Sequence, residues 1–95
     1  MAFNKKNKKQ IKNSELLKFQ PKSFIDAKEM AAELRKGNVL IVDFENVSEN
    51  EILRIVDFVS GVLYAMNGKH KKVSSKTYLL SPSVELLDKF ANDLY

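Results

Sequence analysis

The chain has 95 residues, with 16 Lys and Arg against 12 Asp and Glu, one His, and no Cys or Trp. This length allows one small domain, and without cysteines neither a disulfide nor a cysteine-ligated metal site can stabilise it. The longest apolar run covers only residues 62–66, too short for a membrane-spanning helix. The opening residues contain neither a signal-peptide stretch nor a myristoylation glycine, which favours a cytoplasmic protein.

Positive charge is concentrated at the N-terminus. Residues 1–22 contain seven Lys and one acidic residue, so they carry a net charge of +6 in a chain whose total is +4. We therefore divide the chain into a basic N-terminal tail, residues 1–15, and a core domain, residues 16–95. The tail is interpreted either as a disordered arm or as a weak contact with an anionic surface such as a membrane. Its candidate contact residues are Lys5, Lys6, Lys8 and Lys9.

The first predicted elements are a strand and a helix. Residues 16–20 favour a short strand that stops at a proline. Asp26 with Glu29 is typical of a capping box, and Ile25 with Met30 of a hydrophobic staple. These signals predict an amphipathic helix that begins at Asp26 and ends near residue 37.

A central strand and a second helix are predicted next. Residues 39–42 are apolar without a polar break, which favours a strand covered on both faces in the middle of a sheet. Ser48 with Glu51 forms a second capping box, with Val47 and Ile52 as its staple. The helix that begins there is predicted to run to about residue 66, before Asn-Gly ends it.

The second helix is apolar on nearly all sides, with eleven apolar residues among the fifteen from 52 to 66. Such a helix must bury apolar side chains on two sides, so we expect one side to pack on its own sheet and the other on a second subunit. Gly61 and Ala65 form a small-residue face where another backbone could approach, with Phe58 and Val62 beside it. The alternative is that Gly61 relieves crowding within one subunit.

The last strands form a hairpin whose register the sequence leaves open. Residues 69–73 and 76–80 predict two strands around Ser-Ser, which lacks the Asn-Gly signature of a two-residue turn. A two-residue loop would place Lys71 opposite Tyr78, whereas a three-residue loop would place Lys72 there. After Pro82, apolar residues at helical spacing favour a C-terminal helix.

The order of elements is βαβαββ with a final helix. It predicts a two-layer α/β domain, an α+β sandwich, whose mixed sheet carries helices on one face. Because the second helix is apolar on nearly all sides, we also predict a homodimer.

Catalytic and metal-binding patterns are not found in the sequence. The single histidine, His70, lies among lysines with no ligand partner at metal spacing, and it is interpreted as a plain strand residue. Three glycines form neither a P-loop nor a dinucleotide fingerprint. We predict a protein without enzyme activity, cofactor or metal.

The stretch from Ile55 to Gly68, followed by a basic strand and Thr77-Tyr78-Leu79-Leu80-Ser81-Pro82, resembles the core domain of the bacterial cell-division protein SepF. The resemblance covers roughly residues 16–82 and agrees with the predicted order of elements. It implies a non-enzymatic division factor at the division site, peripheral to the inner face of the membrane. Such a factor self-associates as a dimer or polymer and binds the C-terminal tail of the tubulin-like protein FtsZ.

The resemblance also implies residue roles. In the family, the glycine that matches Gly61 lies at a helix-mediated self-association surface. A basic residue and an aromatic residue that match Lys72 and Tyr78 belong to the FtsZ-tail site. The alternative function is a small basic α/β nucleic-acid-binding protein that uses the tail and residues 69–76. It is disfavoured because Tyr78 is the one aromatic residue near the hairpin, without a second stacking platform.

Overall fold

An uninterrupted apolar run forms the central strand. In the computed structural model, which describes residues 14–94, strand β2 (Val39–Asp43) pairs parallel with β1 (Leu16–Phe19) and antiparallel with β4 (Thr77–Ser81). Strand β3 (Lys69–Ser74) pairs antiparallel with β4, so the order across the sheet is β1-β2-β4-β3. The predicted βαβαββ order, the mixed sheet and the central position of β2 are confirmed.

Three helices cover the two faces of this sheet. Helices α1 (Ala27–Arg35) and α2 (Glu49–Met66) follow β1 and β2, and they pack on one face, as the sequence predicts. Helix α3 (Val84–Leu94) packs on the opposite face through Leu86, which is buried with residues of β2 and β4. The final helix is confirmed, but its position on the opposite face adds a third layer to the predicted two-layer arrangement with helices on one face. Helical spacing alone did not assign this helix to a face.

The two faces explain the composition of β2. Successive side chains of a strand point to opposite faces, so Leu40 and Val42 point toward α1 and α2 while Val39 points toward α3. All three are fully buried. The larger of the two apolar clusters is between the sheet and the first two helices, and its buried members are Ala27, Met30, Leu34, Leu40, Val42, Phe44, Val47, Ile55, Val59, Leu63 and Leu80.

The start of α1 differs from its prediction. A 3-10 turn over Phe24–Asp26 precedes the helix, so Asp26 already has helical backbone angles and makes no capping hydrogen bond within the described chain. Its carboxylate accepts instead from the backbone N–H of Lys22 at 2.8 Å. The staple is also wrong, because the turn directs Ile25 outward, where 82% of its surface is exposed, while Met30 is fully buried.

The start of α2 follows its prediction in part. Ser48 has extended backbone angles, and its Oγ accepts from the backbone N–H of Glu51 at 3.3 Å. The carboxylate of Glu51 is used elsewhere, since it accepts from the backbone N–H of Phe24 at 2.7 Å and from Arg54 Nη1 at 3.1 Å. Thus the hydrogen bond from the Glu51 N–H to the Ser48 side chain forms as predicted. The Glu51 side chain does not complete the capping box and instead connects α2 to the turn before α1.

Replacing Ser48 with Ala should lower the free energy of unfolding by about 1 kcal/mol, the usual cost of losing an N-cap side chain. Ser23→Ala is a matched control, because Ser23 precedes the 3-10 turn without a side-chain capping bond in the described structure. Urea unfolding followed by circular dichroism measures both. Equal effects of the two substitutions would contradict the assignment of Ser48 as the cap.

The end of α2 is set by a left-handed residue. Asn67 has φ 60° and ψ 31°, and its backbone N–H donates to the carbonyl of Tyr64 at 3.2 Å. The N–H of Gly68 donates to the carbonyl of Leu63 at 2.7 Å. These two bonds form a Schellman motif, which satisfies the last carbonyls of the helix and turns the chain directly into β3.

Candidate functional site

The hairpin between β3 and β4 resolves the register that the sequence left open. Ser74 pairs with Thr77 around a turn at residues 75–76, and a shift in register between Lys72 and Ser74 marks a bulge. Beyond the bulge, Lys72 lies opposite Tyr78. The pairing expected for a three-residue loop is therefore observed, although a two-residue turn and a bulge together produce it.

The ring of Tyr78 is held between neighbours from two strands. It meets the ring of Phe44 edge to face, with 5.5 Å between centroids, and it stacks with His70 at 6.3 Å. The Nζ of Lys72 lies 6.0 Å from the ring centroid, at the outer limit of a cation–π contact. Tyr78 is half-buried against the main apolar cluster, so its ring is presented in a fixed orientation.

A groove of about 420 Å³ opens beside this ring, between the hairpin and the first turns of α2. We call it the hairpin groove. Its lining residues come from the end of β2, from α2 and from both sides of the hairpin turn. They are Phe44, Glu49, Ile52, Leu53, Lys72, Ser75, Lys76 and Tyr78.

The hairpin groove combines an apolar floor with charges. Phe44 is buried and Ile52 is half-buried, whereas Lys72 and Lys76 are exposed to solvent. Glu49 is the single carboxylate among the lining residues. Such a site suits an extended peptide that has an apolar side chain next to an acidic one.

Sequence analysis found only Lys72 and Tyr78 among these residues. Phe44 directly follows β2. It reaches the groove because the pairing of Val42 with Tyr78 and a 2.8 Å bond from the Phe44 N–H to the Lys76 carbonyl place the end of β2 beside the hairpin. No local pattern marks this residue. Only the pairing of strands that are more than thirty residues apart in sequence identifies it.

The predicted self-association residues lie on the outer side of α2. Gly61 and Ala65 are exposed, Val62 is half-buried, and Phe58 packs edge to face on Phe24 at 5.6 Å. Apart from its two chain neighbours and the nearby backbone of its own helix, no atom of the described residues lies within 4 Å of a Cβ built on Gly61. The alternative that Gly61 relieves crowding inside the subunit is therefore wrong.

Apolar residues remain uncovered on the same side of α2. Only Ile55, Val59 and Leu63 of this helix are buried among the described residues, whereas 62% of Leu53 and 87% of Tyr64 are exposed. Among the described residues, α2 is therefore buried along one side only.

The remaining candidates concern charge, metals and membranes. Lys5, Lys6, Lys8 and Lys9 lie outside the described residues. Within residues 14–94, no three His, Asp or Glu side chains are grouped so as to hold a metal ion. In the same part of the chain, none of the helices has the length and apolar content needed to cross a bilayer.

Comparison with known proteins decides the family. The family model described as "Cell division protein SepF" matches residues 17–86, which run from the second residue of β1 into the first turn of α3. The chain belongs to the SepF family. The resemblance noted from the sequence is thereby confirmed, and the family is described as one of cell division proteins.

Curated SepF proteins and solved SepF-like structures agree with this assignment. SepF of Lactiplantibacillus plantarum is 36% identical over 70 residues, covering 74% of this chain and 50% of that protein. SepF of Lactobacillus gasseri is 35% identical over 69 residues, covering 73% and 48%. The chain thus spans about half the length of the curated SepF proteins it matches.

The structural neighbours confirm the fold. The SepF-like protein from Archaeoglobus fulgidus superposes with a TM-score of 0.68 at 12% identity, covering 74% of this chain and 90% of that one. The SepF-like protein from Pyrococcus furiosus gives 0.62 at 22% identity, covering 70% and 84%.

Proposed function

We propose that this chain is a non-enzymatic division factor that binds the C-terminal peptide of FtsZ in the hairpin groove and self-associates through the outer side of α2. It would act at the division site, on the inner side of the membrane. The observation that carries the proposal is the pairing of Lys72 with Tyr78 beside an apolar groove.

The chemistry of the hairpin groove supports a peptide ligand. Tyr78 offers a large ring whose orientation is already fixed by Phe44 and His70, so binding requires little ordering of this side chain. Lys72 and Lys76 offer ammonium groups for carboxylates of the peptide. Aromatic anchors with neighbouring cations are frequent at sites that carry most of the binding free energy.

The binding test is a titration of a fluorescent FtsZ C-terminal peptide into the whole chain at two salt concentrations. Tyr78→Ala should weaken binding about thirtyfold or more, as expected for an aromatic anchor. Lys72→Glu should weaken it by a similar factor because it replaces an attraction with a repulsion. Unchanged binding by both variants would contradict the assignment of the hairpin groove.

A matched control separates a specific site from general positive charge. Lys69 is on the same strand as Lys72 but three residues earlier. Because successive side chains alternate between the faces of a sheet, Lys69 lies on the face opposite to Lys72. Lys69→Glu makes the same change in net charge and should leave peptide binding within about twofold once salt screens long-range attraction. If Lys69→Glu and Lys72→Glu act equally, or if a random oligonucleotide binds more tightly than the peptide, general electrostatic binding replaces this proposal.

A further inference from the structure

The tip of the β3–β4 hairpin carries a serine to which the proposed peptide site gives no role. Ser75 is the first residue of the two-residue turn, and it is exposed to solvent. It lines the hairpin groove together with Lys72 and Lys76. Within residues 14–94, the Ser75 hydroxyl takes part in no hydrogen bond. The hydroxyl is therefore accessible, and the fold does not depend on it.

Few hydroxyl side chains of the described chain share this accessibility. Of the Ser and Thr residues described, only Ser48, Ser74 and Ser75 are exposed. Ser48 caps α2 through its Oγ. Ser74 belongs to β3, where it pairs with Thr77, and it does not line the hairpin groove. Among the described residues, Ser75 is thus the one exposed hydroxyl that lies outside a helix cap and outside a strand.

The charges around Ser75 favour a phosphate group. The ammonium groups of Lys72 and Lys76 line the same groove, against a single carboxylate from Glu49. A phosphoserine carries about −1.5 to −2 charges at pH 7 and three acceptor oxygens, so neighbouring lysines stabilise it. Residues 71 and 72, shortly before the serine, are both lysines, and they attract a protein kinase whose substrate cleft is acidic.

We propose that Ser75 is a phosphorylation site, and that its phosphate closes the hairpin groove to acidic peptides by pairing with Lys72 and Lys76. The effect on peptide binding rests on the proposed function, whereas the modification itself does not. It makes binding at the hairpin groove reversible by a covalent change at one side chain.

The modification transfers the γ-phosphoryl group of a magnesium-bound nucleoside triphosphate to Ser75 in the active site of a protein kinase. The Ser75 Oγ attacks the γ-phosphorus, and the hydroxyl proton passes to a carboxylate of the kinase. The bond from the γ-phosphorus to the oxygen that bridges it to the β-phosphorus breaks. The nucleoside diphosphate leaves with the electron pair of that bond.

The phosphate and the peptide compete for the same cations. Phosphorylation changes the sum of the charges that line the hairpin groove from positive to negative. A peptide that offers carboxylates to Lys72 and Lys76 is then repelled. The apolar floor and the ring of Tyr78 are unchanged, so the expected loss of affinity comes from the charged part of the contact.

The site itself is tested by phosphorylation of the whole chain. The chain is incubated with MgATP and a serine kinase that selects basic residues before the acceptor, and the intact mass is measured. The wild-type chain should gain one phosphate, and Ser75→Ala should gain none. Ser74→Ala is the matched control, because it removes the adjacent exposed hydroxyl and keeps every lysine, and it should still be modified. An unmodified wild-type chain, or modification that persists in Ser75→Ala, would overturn the assignment.

The effect on the groove is tested with phosphoserine incorporated genetically in place of Ser75. At physiological salt, this chain should bind the FtsZ C-terminal peptide about tenfold more weakly or worse, with an unchanged circular dichroism spectrum. Phosphoserine in place of Ser74 adds the same charge outside the groove lining and should weaken binding by less than about threefold. Unchanged affinity with phosphoserine at 75, or equal weakening from both positions, would refute closure of the groove. An unmodified chain without affinity for the peptide would contradict the proposed function instead, and the mass measurement then decides the modification alone.

Discussion

Replacing Phe44 with Ala is expected to lower the free energy of unfolding by about 3–5 kcal/mol, a large share of the stability of a domain this small. The side chain is 1% exposed and belongs to the main apolar cluster, so its removal loses apolar burial and leaves a cavity. Urea unfolding monitored by circular dichroism measures the change. Leu53→Ala, on an exposed residue, is the control and should change stability by less than about 0.5 kcal/mol.

The same residue links stability to the candidate site. Phe44→Leu keeps most of the buried volume, so the fold should survive, but it removes the ring that contacts Tyr78 edge to face at 5.5 Å. We expect weaker binding of the FtsZ peptide by this folded variant. Wild-type affinity in Phe44→Leu would show that Tyr78 is oriented without Phe44.

A single methyl group should have opposite effects at two glycines of one segment. At Gly68, which is buried, a Cβ would collide with the backbone carbonyl oxygen of Ser81 and lie 3.1 Å from the Cα of Pro82. Because these obstacles are backbone atoms, Gly68→Ala should lower the free energy of unfolding by about 1–3 kcal/mol. Equilibrium unfolding in urea measures this loss.

Gly61→Ala is the matched control for Gly68→Ala. The Cβ at Gly61 meets no described atom within 4 Å outside the adjacent backbone of its own helix and its two neighbours, and Ala is a better helix former than Gly. This substitution should therefore raise the stability of the isolated subunit by up to about 1 kcal/mol. It is measured at a protein concentration low enough to keep the subunits apart. A destabilised Gly61→Ala subunit, or an unchanged Gly68→Ala, would contradict the described packing.

Elements with strong local signals were predictable from the sequence. The apolar run of β2, the Ser48 cap and the Asn67-Gly68 end of α2 each depend on interactions within a few residues or on burial of a whole segment. The start of α1 was not predictable in this way, because Asp26 and Glu29 fit a capping box when only the local sequence is considered. In the structure Asp26 does not cap α1, because a 3-10 turn over Phe24–Asp26 precedes the helix. The carboxylate of Glu51 in α2 accepts a hydrogen bond from the Phe24 N–H and favours this turn.

The candidate site was predictable only in part. Lys72 and Tyr78 were named from the family resemblance. Their register stayed open because the Ser-Ser turn carries no signature that sets the loop length, and no local pattern marks the bulge that shifts the pairing. The groove beside them requires residues of β2 and α2, whose proximity depends on strand pairing and helix packing over long sequence separations.

The position of β3 has a consequence for the solubility of the protein. This strand stands at one edge of the sheet, and exposed strand edges are templates for the growth of aggregates from other chains. Residues 69–72 of β3 are three lysines and a histidine, all exposed, and a bulge distorts the end of the strand. Two such edges repel each other because pairing would bring like charges together. The positive charge of β3 therefore disfavours pairing between the β3 edges of two copies of the chain.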